Sequence, residues 1–195
     1  MTDPLGEVND GSTSLTKEEL EQLIPSYIAL RHELNEAEQV NILEAEEWAF
    51  TRKRDVLSAR FLDNLHKQMF CRVWRWAGAY RQSNKNVGID AYRISTELGH
   101  LLDDCRYWID NDTYEQDEIA TRYHHRLVWI HSYPNGNGRH ARLATDLFLV
   151  ALGSTPFSWG RINLVNASKT RSEYIAALRA ADKHDIKPLL EFVRT

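Results

Sequence analysis

Apolar residues recur at steps of three and four along most of this chain, the spacing that places them on one face of an α-helix. Between Glu33 and Thr51, the residues Leu34, Ala37, Val40, Leu43 and Trp48 lie on or near one face. Val56, Phe61, Leu65, Met69 and Val73 repeat the pattern, with Asp55 placed to cap that helix. Helices are expected next over Ile94–Ile109 and Tyr114–Ile130, the second with Ile119, Tyr123 and Leu127 at four-residue steps. Asn137–Leu152 is apolar on so many sides (Leu143, Ala144, Leu147, Phe148, Val150, Ala151) that it should lie at the centre of the core. Ser168 can cap a helix to about Ala181, and Asp185 a last one carrying Leu189, Leu190 and Phe192. Near the start, Thr16 and Glu19 form a capping box for a short helix over Lys17–Leu23, ended by Pro25. Residues 1–15 are polar and aperiodic and read as a flexible lead-in. Ala77–Ala91, with Gly78, Gly88 and Asn-rich turns, reads as a loop or short hairpin. The expected fold is all-α, a helical bundle with one small β-like excursion near residues 79–90.

Length and composition narrow the class. With 195 residues, 43% of them hydrophobic, the chain suits one domain with a single core. Its longest strictly apolar run, Leu147–Leu152, is too short to span a membrane. Cys71 and Cys105 make neither a disulfide framework nor a thiolate zinc site, and read as small buried apolar residues. With no secretory start at Met1–Pro4, a cytoplasmic location is the expectation. The net charge of −4 is uneven: residues 1–50 carry 12 acidic and 2 basic side chains, while residues 51–195 carry 16 acidic and 22 basic. An acidic arm ahead of a basic body invites docking of one on the other, or a basic site for an anion. The excess is too small, and motifs too few, to suggest nucleic acid as a partner. Trp74, Trp76, Trp108, Trp129 and Trp159 read as core or loop anchors.

The chemistry gathers in His131-Ser-Tyr-Pro-Asn135-Gly136-Asn137-Gly138-Arg139-His-Ala-Arg142, between two expected helices. Glycines let backbone approach a ligand closely. Free N–H groups at the start of the second helix, with its dipole, favour an anion. Arg139 and Arg142 stand three apart and bring forked donors suited to phosphate oxygens. The stretch reads as a cradle for a polyphosphate. His131 continues the Ile119, Tyr123, Leu127 series, so its imidazole sits at the helix end beside the cradle, where it can take a proton from a hydroxyl. His124, His125, His131 and His140 lack the spacings of a zinc site.

At these residues the chain resembles the Fic family, whose motif reads H-P-F-x-[D/E]-G-N-G-R-x-x-R. The likeness extends to Trp76-Ala77-Gly78-x-Tyr80-Arg81 upstream and to Arg171, Tyr174, Leu178, Ala181 and Asp182 downstream. The wording Pro-Asn-Gly-Asn-Gly-Arg-His is most like the bacterial branch called mobile mystery protein B. The resemblance implies a Fic-like helical bundle with a small hairpin flap. It implies a protein adenylyltransferase that moves AMP from ATP to a Ser, Thr or Tyr hydroxyl of a target protein, with Mg²⁺ and with His131 as base. Gly136, Asn137, Gly138 and Arg139 would hold phosphates, and Arg142 the γ-phosphate. Tyr174 and Asp182 would line the nucleotide pocket, Asp182 in place of a common Asn. Lys85, Asn86, Val87, Gly88, Ile89 and Asp90 would form the flap that docks the target segment as an added strand. A separate antitoxin-like regulator and a toxin-like role also accompany the family.

The departures bear on activity. Asn135 stands where the family has the Asp or Glu that binds Mg²⁺, and an amide is a poorer ligand for a hard cation. Ser132 and Tyr133 replace Pro and Phe; Tyr133 can still anchor the loop if its hydroxyl finds a partner. Gly138 is not the Lys of the phosphate-transferring Doc branch. Self-silencing family members carry a Glu in the pattern [S/T]-x-x-x-E-[G/N]. Glu33 is the nearest match here, so it is expected to pair with Arg142, with Glu36 as alternate. Residues 1–50 would then be an inhibitory lead-in and 51–195 the catalytic core. Two other readings fit the same residues: a nucleotide- or partner-binding module without turnover, and a hydrolase that removes AMP.

Overall fold

Capping chemistry decides where the first helices begin. The computed structural model describes residues 13–160 and 167–195, with side chains from Lys169 onward in the second stretch. The Thr16–Glu19 box forms as expected: Glu19 N–H donates to Thr16 Oγ1 at 3.3 Å and Thr16 N–H to Glu19 Oε2 at 2.8 Å. Helix α1 (Lys17–Leu20) is nonetheless only four residues long. The chain turns early to run beside residues 73–75, with Ile24 N–H on the Val73 carbonyl at 2.8 Å and Arg75 N–H on the Gln22 carbonyl at 3.0 Å. That contact, a lone antiparallel bridge between Leu23 and Trp74, is the one β pairing among the described residues.

Helix α2 (Arg31–Phe50) buries Leu34, Glu38, Asn41, Ile42, Ala45 and Ala49, while Val40 and Leu43 are exposed. The expected stripe is therefore rotated. Its buried face includes two polar side chains that are fully used. Asn41 Nδ2 donates to the Gln68 carbonyl at 2.8 Å and its Oδ1 accepts Arg72 N–H at 3.0 Å, closing the end of the next helix. Helix α3 (Ala59–Phe70) is capped by Ser58, not Asp55: Phe61 N–H donates to Ser58 Oγ at 3.2 Å. Leu62, Leu65, Met69 and Phe70 on α3 have no solvent exposure. Cys71, just beyond, is exposed, contrary to expectation; Cys105 is buried, which pushes its thiol up to about 12.

A single 3₁₀ turn (Ala91–Arg93) leads into α4 (Ile94–Asp110), followed by α5 (Gln116–Ile130), α6 (Asn137–Ala151), α7 (Ala167–Ala181) and α8 (Lys187–Val193). The side chain of the expected Ser168 cap, like residues 1–12, lies outside what the structure describes. Pairs α2–α3, α4–α5, α5–α6 and α7–α8 pack side by side, and α6 also meets α2 and α3. Helix α6 is central, as its composition requires: Ala141, Ala144, Thr145 and Leu149 are wholly buried. Buried residues of α2 belong to the same core as those of α3 to α8. Among the described residues no helix is long and apolar enough to cross a membrane.

The expected hairpin does not form: residues 81–90 contain no strand. Its backbone groups are spent on side chains instead. The Arg81 guanidinium takes the carbonyls of Ser83 and Ile89. Asn84 Oδ1 takes Ala91 N–H at 2.9 Å, and Asn84 Nδ2 donates to Asp90 at 2.9 Å. A ladder would need those groups free.

Candidate active site

Helix α5 ends at His131, which takes the left-handed conformation (φ 57°, ψ 59°) that a side chain of its kind seldom adopts. This turn lifts the imidazole out of the helix toward the loop 132–136. Its Nδ1–H donates to the Val128 carbonyl at 3.3 Å. A carbonyl only accepts, so the lone pair is on Nε2. Burial holds this imidazole down at about 4, so it is neutral at physiological pH and ready to accept a proton. Nε2 faces a hydroxyl, Thr13 Oγ1, at 2.7 Å. The neighbouring Arg81, 2% exposed, donates to the His131 carbonyl at 2.7 Å and, through its N–H to Ile89, ties the flap to the end of α5. At Gly88 a Cβ would lie 2.5 Å from His131 Cβ, so the flap touches the histidine where only glycine fits.

The loop after His131 is anchored from α3. The Tyr133 ring stacks on His66 with centroids 3.7 Å apart, and its hydroxyl donates to Asp63 at 2.9 Å, the partner the substitution for Phe requires. His66 accepts Gly78 N–H on Nδ1 at 3.0 Å, so its Nε2–H donates to the Asn135 carbonyl, also at 3.0 Å. His140 Nε2–H donates to the Leu62 carbonyl at 3.0 Å. Burial keeps both rings neutral, His66 well below its usual range and His140 at about 4. Asn137 is a staple: its amide donates to the Tyr133 carbonyl at 2.7 Å and accepts Tyr133 N–H at 2.9 Å. Gly136 (φ 78°) starts α6, where a Cβ would strike the Phe70 ring; a Cβ on Gly138 would meet nothing within 4 Å. The N-terminal turn of α6 is therefore open at Gly138, next to the histidine's end of α5.

The two arginines diverge. Arg139 Nη1 pairs with Glu38 at 2.7 Å, and its guanidinium carbon is 5.1 Å from the Phe70 ring centre. Arg142 lies over the Tyr174 ring at 5.6 Å, and no ion pair joins it to a carboxylate among the described residues. Tyr174 bonds His124 Nε2 at 2.8 Å; burial pushes the phenol up to about 12 and holds His124 down at about 3. Asp182 accepts from His125 Nε2 at 2.9 Å.

The expected Glu33–Arg142 contact is absent. Glu33 Oε2 instead accepts Ala29 N–H and Leu30 N–H at 2.8 and 2.9 Å and starts α2, and Glu36 is exposed. The carboxylate that reaches the motif is Glu38, 3% exposed, which also accepts Trp74 Nε1–H at 2.7 Å. Its sign in the sequence is an acid four residues after Leu34 and four before Ile42, inside the buried stripe. His66 shows similarly, four residues after Leu62 on α3.

The donor set does not fit a chain-held Mg²⁺. Asn135 is a neutral amide, and its Oδ1 already accepts Gly136 N–H at 2.6 Å. Among the described residues no three His, Cys, Asp or Glu side chains converge as a metal site.

A helical bundle with a buried histidine ahead of a glycine-opened helix start and two arginines defines a class. The model of the Fic/DOC family matches residues 56–149, and the chain carries a Fic domain. Over 124 residues it is 32% identical to the protein adenylyltransferase fic-1 of Caenorhabditis elegans, a match covering 60% of this chain and 22% of that protein. The Fic protein adenylyltransferase of Nematostella vectensis is 28% identical over 120 residues, covering 60% of this chain and 26% of its own length. The chain thus spans about a quarter of these curated relatives. BepC of Bartonella tribocorum, solved with bound AMPPNP, superposes with a TM-score of 0.67 at 17% identity, over 99% of this chain and 98% of that one. A Bartonella quintana Fic domain gives a TM-score of 0.68 at 16% identity, covering 97% and 90%. These likenesses establish the fold.

Proposed function

We propose that the chain is a protein adenylyltransferase, with ATP as donor and a hydroxyl of a target protein as acceptor. The observation that carries this is His131: neutral, its Nε2 lone pair turned to a hydroxyl, beside the open start of α6. The acceptor proton passes to Nε2. The freed oxygen bonds the α-phosphorus, the bond from that phosphorus to the bridging oxygen breaks, and pyrophosphate leaves. The backbone N–H groups of Asn137 and Gly138 at the start of α6 and the side chains of Arg139 and Arg142 hold the triphosphate, with Gly136 letting the backbone turn into the helix. The Asn137 side chain shapes this loop, its amide held at both ends by Tyr133, and its backbone N–H faces the phosphates. Tyr174 and Asp182 border the adenosine side. Residues 85–90 receive the target segment.

Residues 1–50 act as the restraint on a catalytic core of 51–195, and the restraint acts through Glu38, which engages Arg139. Labelling of lysate proteins by ATP carrying its label on the α-phosphate, with Mg²⁺ supplied, tests the reading. Wild type is expected to transfer label, and His131→Ala to lose it by about a hundredfold or more. Glu38→Gln keeps an oxygen for Trp74 but removes the charge facing Arg139, so labelling should rise several-fold. Bound ATP without label from any of the three would instead favour a nucleotide-holding module, with Asn135 as its mark.

A further inference from the structure

The two motif arginines are anchored by different means. Arg139 has the Glu38 carboxylate at 2.7 Å. Arg142 has an aromatic face, the Tyr174 ring, with its centre 5.6 Å from the guanidinium carbon. An arginine seated over a ring keeps the N–H groups along its edge for phosphate oxygens. The ring that seats Arg142 is itself set from α5. Tyr174, on α7, has its hydroxyl 2.8 Å from Nε2 of His124, which has no solvent exposure. His124 Nδ1 is buried without a full hydrogen bond, and the group acting on it is the Ala141 carbonyl of α6. A carbonyl only accepts, so the proton is on Nδ1 and the Tyr174 hydroxyl donates to Nε2. The Trp159 ring packs on the imidazole with centroids 4.5 Å apart, and Trp159 Nε1–H is held by both Asp146 oxygens at 3.0 Å. His124 is thus fixed between α6 and α7, with its one hydrogen bond spent on the ring beneath Arg142.

We propose that His124 is a positioning residue: through the Tyr174 hydroxyl it aims the Arg142 guanidinium at the terminal phosphate of the nucleotide. This rests on the phosphate-holding role of Arg142 in the function proposed above. His124 touches neither nucleotide nor target. Its acceptor lone pair fixes how the Tyr174 ring lies, and the ring fixes where the guanidinium rests. Without that acceptor the Tyr174 hydroxyl must turn to another partner, and the ring turns with it. Arg142 then keeps its charge but loses its aim. The loss falls on a triphosphate and spares a diphosphate, whose phosphates end short of Arg142.

The test compares ATP and ADP binding to the full chain by calorimetry, with labelling of lysate proteins measured alongside. His124→Leu should weaken ATP binding by about tenfold and leave ADP binding unchanged. His124→Gln, which places an oxygen within reach of the Tyr174 hydroxyl, should restore the ratio. Tyr174→Phe keeps the ring, removes the same bond and should shift the ratio in the same direction, so the test stands even where His124→Leu does not fold. In an Arg142→Ala background, His124→Leu should have no further effect on ATP binding. Equal weakening of ATP and ADP, an unchanged ratio in both variants, or a full further loss in the Arg142→Ala background overturns the proposal and makes His124 a packing residue. The expected ratios without labelling of lysate by wild type overturn the transferase reading and leave the positioning role standing. Wild type that binds neither nucleotide overturns both.

Discussion

The floor and the cover of this site are built by different means. The floor, residues 132–140, is bolted to α3 by buried groups: the Tyr133 ring on His66, the Tyr133 hydroxyl on Asp63, His140 on the Leu62 carbonyl. The cover, residues 81–90 with the arm 13–19, consists of loop backbone held by polar side chains, Arg81, Asn84 and Lys85. Packing in the floor is cooperative and admits one arrangement. Hydrogen bonds in the cover can be exchanged for those of another chain segment at little net cost. The difference separates what performs the chemistry from what is presented to it.

The largest expected effect comes where the two regions touch. Gly88→Ala forces a Cβ to 2.5 Å from His131 Cβ at a φ of +90°, so the cover must lift or the histidine move. Transfer of label should fall by about tenfold or more, with a smaller change in melting temperature. Unchanged transfer would show that the flap does not lie on the histidine during turnover.

Acid should weaken the floor next. His66, His124, His131 and His140 are neutral when folded because burial lowers each of them, to about 3 for His124 and about 4 for His131 and His140. Unfolded, each titrates near 6.5, so between that value and the folded one the unfolded state binds more protons. Stability is full above about 6.5 and falls with pH down to about 4, by at most about 1.4 kcal/mol per pH unit per histidine. Denaturant titrations across this range measure the slope. A His131 ring that titrates by NMR near 6.5 in the folded chain would place it in solvent. The smallest effect is that of Tyr133→Phe, which keeps the ring on His66 and removes only the bond to Asp63. It should cost about 1 kcal/mol in a denaturant melt; a much larger loss would make the hydroxyl, not the ring, the anchor.

Most of the helices were legible because apolar spacing reports directly on local structure: α4 to α6 match their expected spans within two residues, although none has a side-chain cap. The cradle was legible because glycine, arginine and histidine carry their chemistry in their type. The rotation of α2 was not, since Glu38 and Asn41 enter the core through partners 27 or more residues away. The roles of Glu33 and Thr13 were hidden for opposite reasons. Glu33 bonds N–H groups three and four residues before it, so a local cap outcompeted a distant arginine. Thr13 meets His131 across 118 residues of chain, a separation over which no periodicity carries information.

Lys85 and Asn86 grip Ser14 only by its main-chain carbonyl and N–H, so the grip reads the course of a segment and not its side chains. The arm that occupies this grip belongs to the same polypeptide and is present at an effective concentration on the order of millimolar. A free segment making only the same contacts would have to exceed that concentration to displace it. Selectivity among external proteins then rests on what they bind beyond the grip, and the tether sets the threshold they must cross.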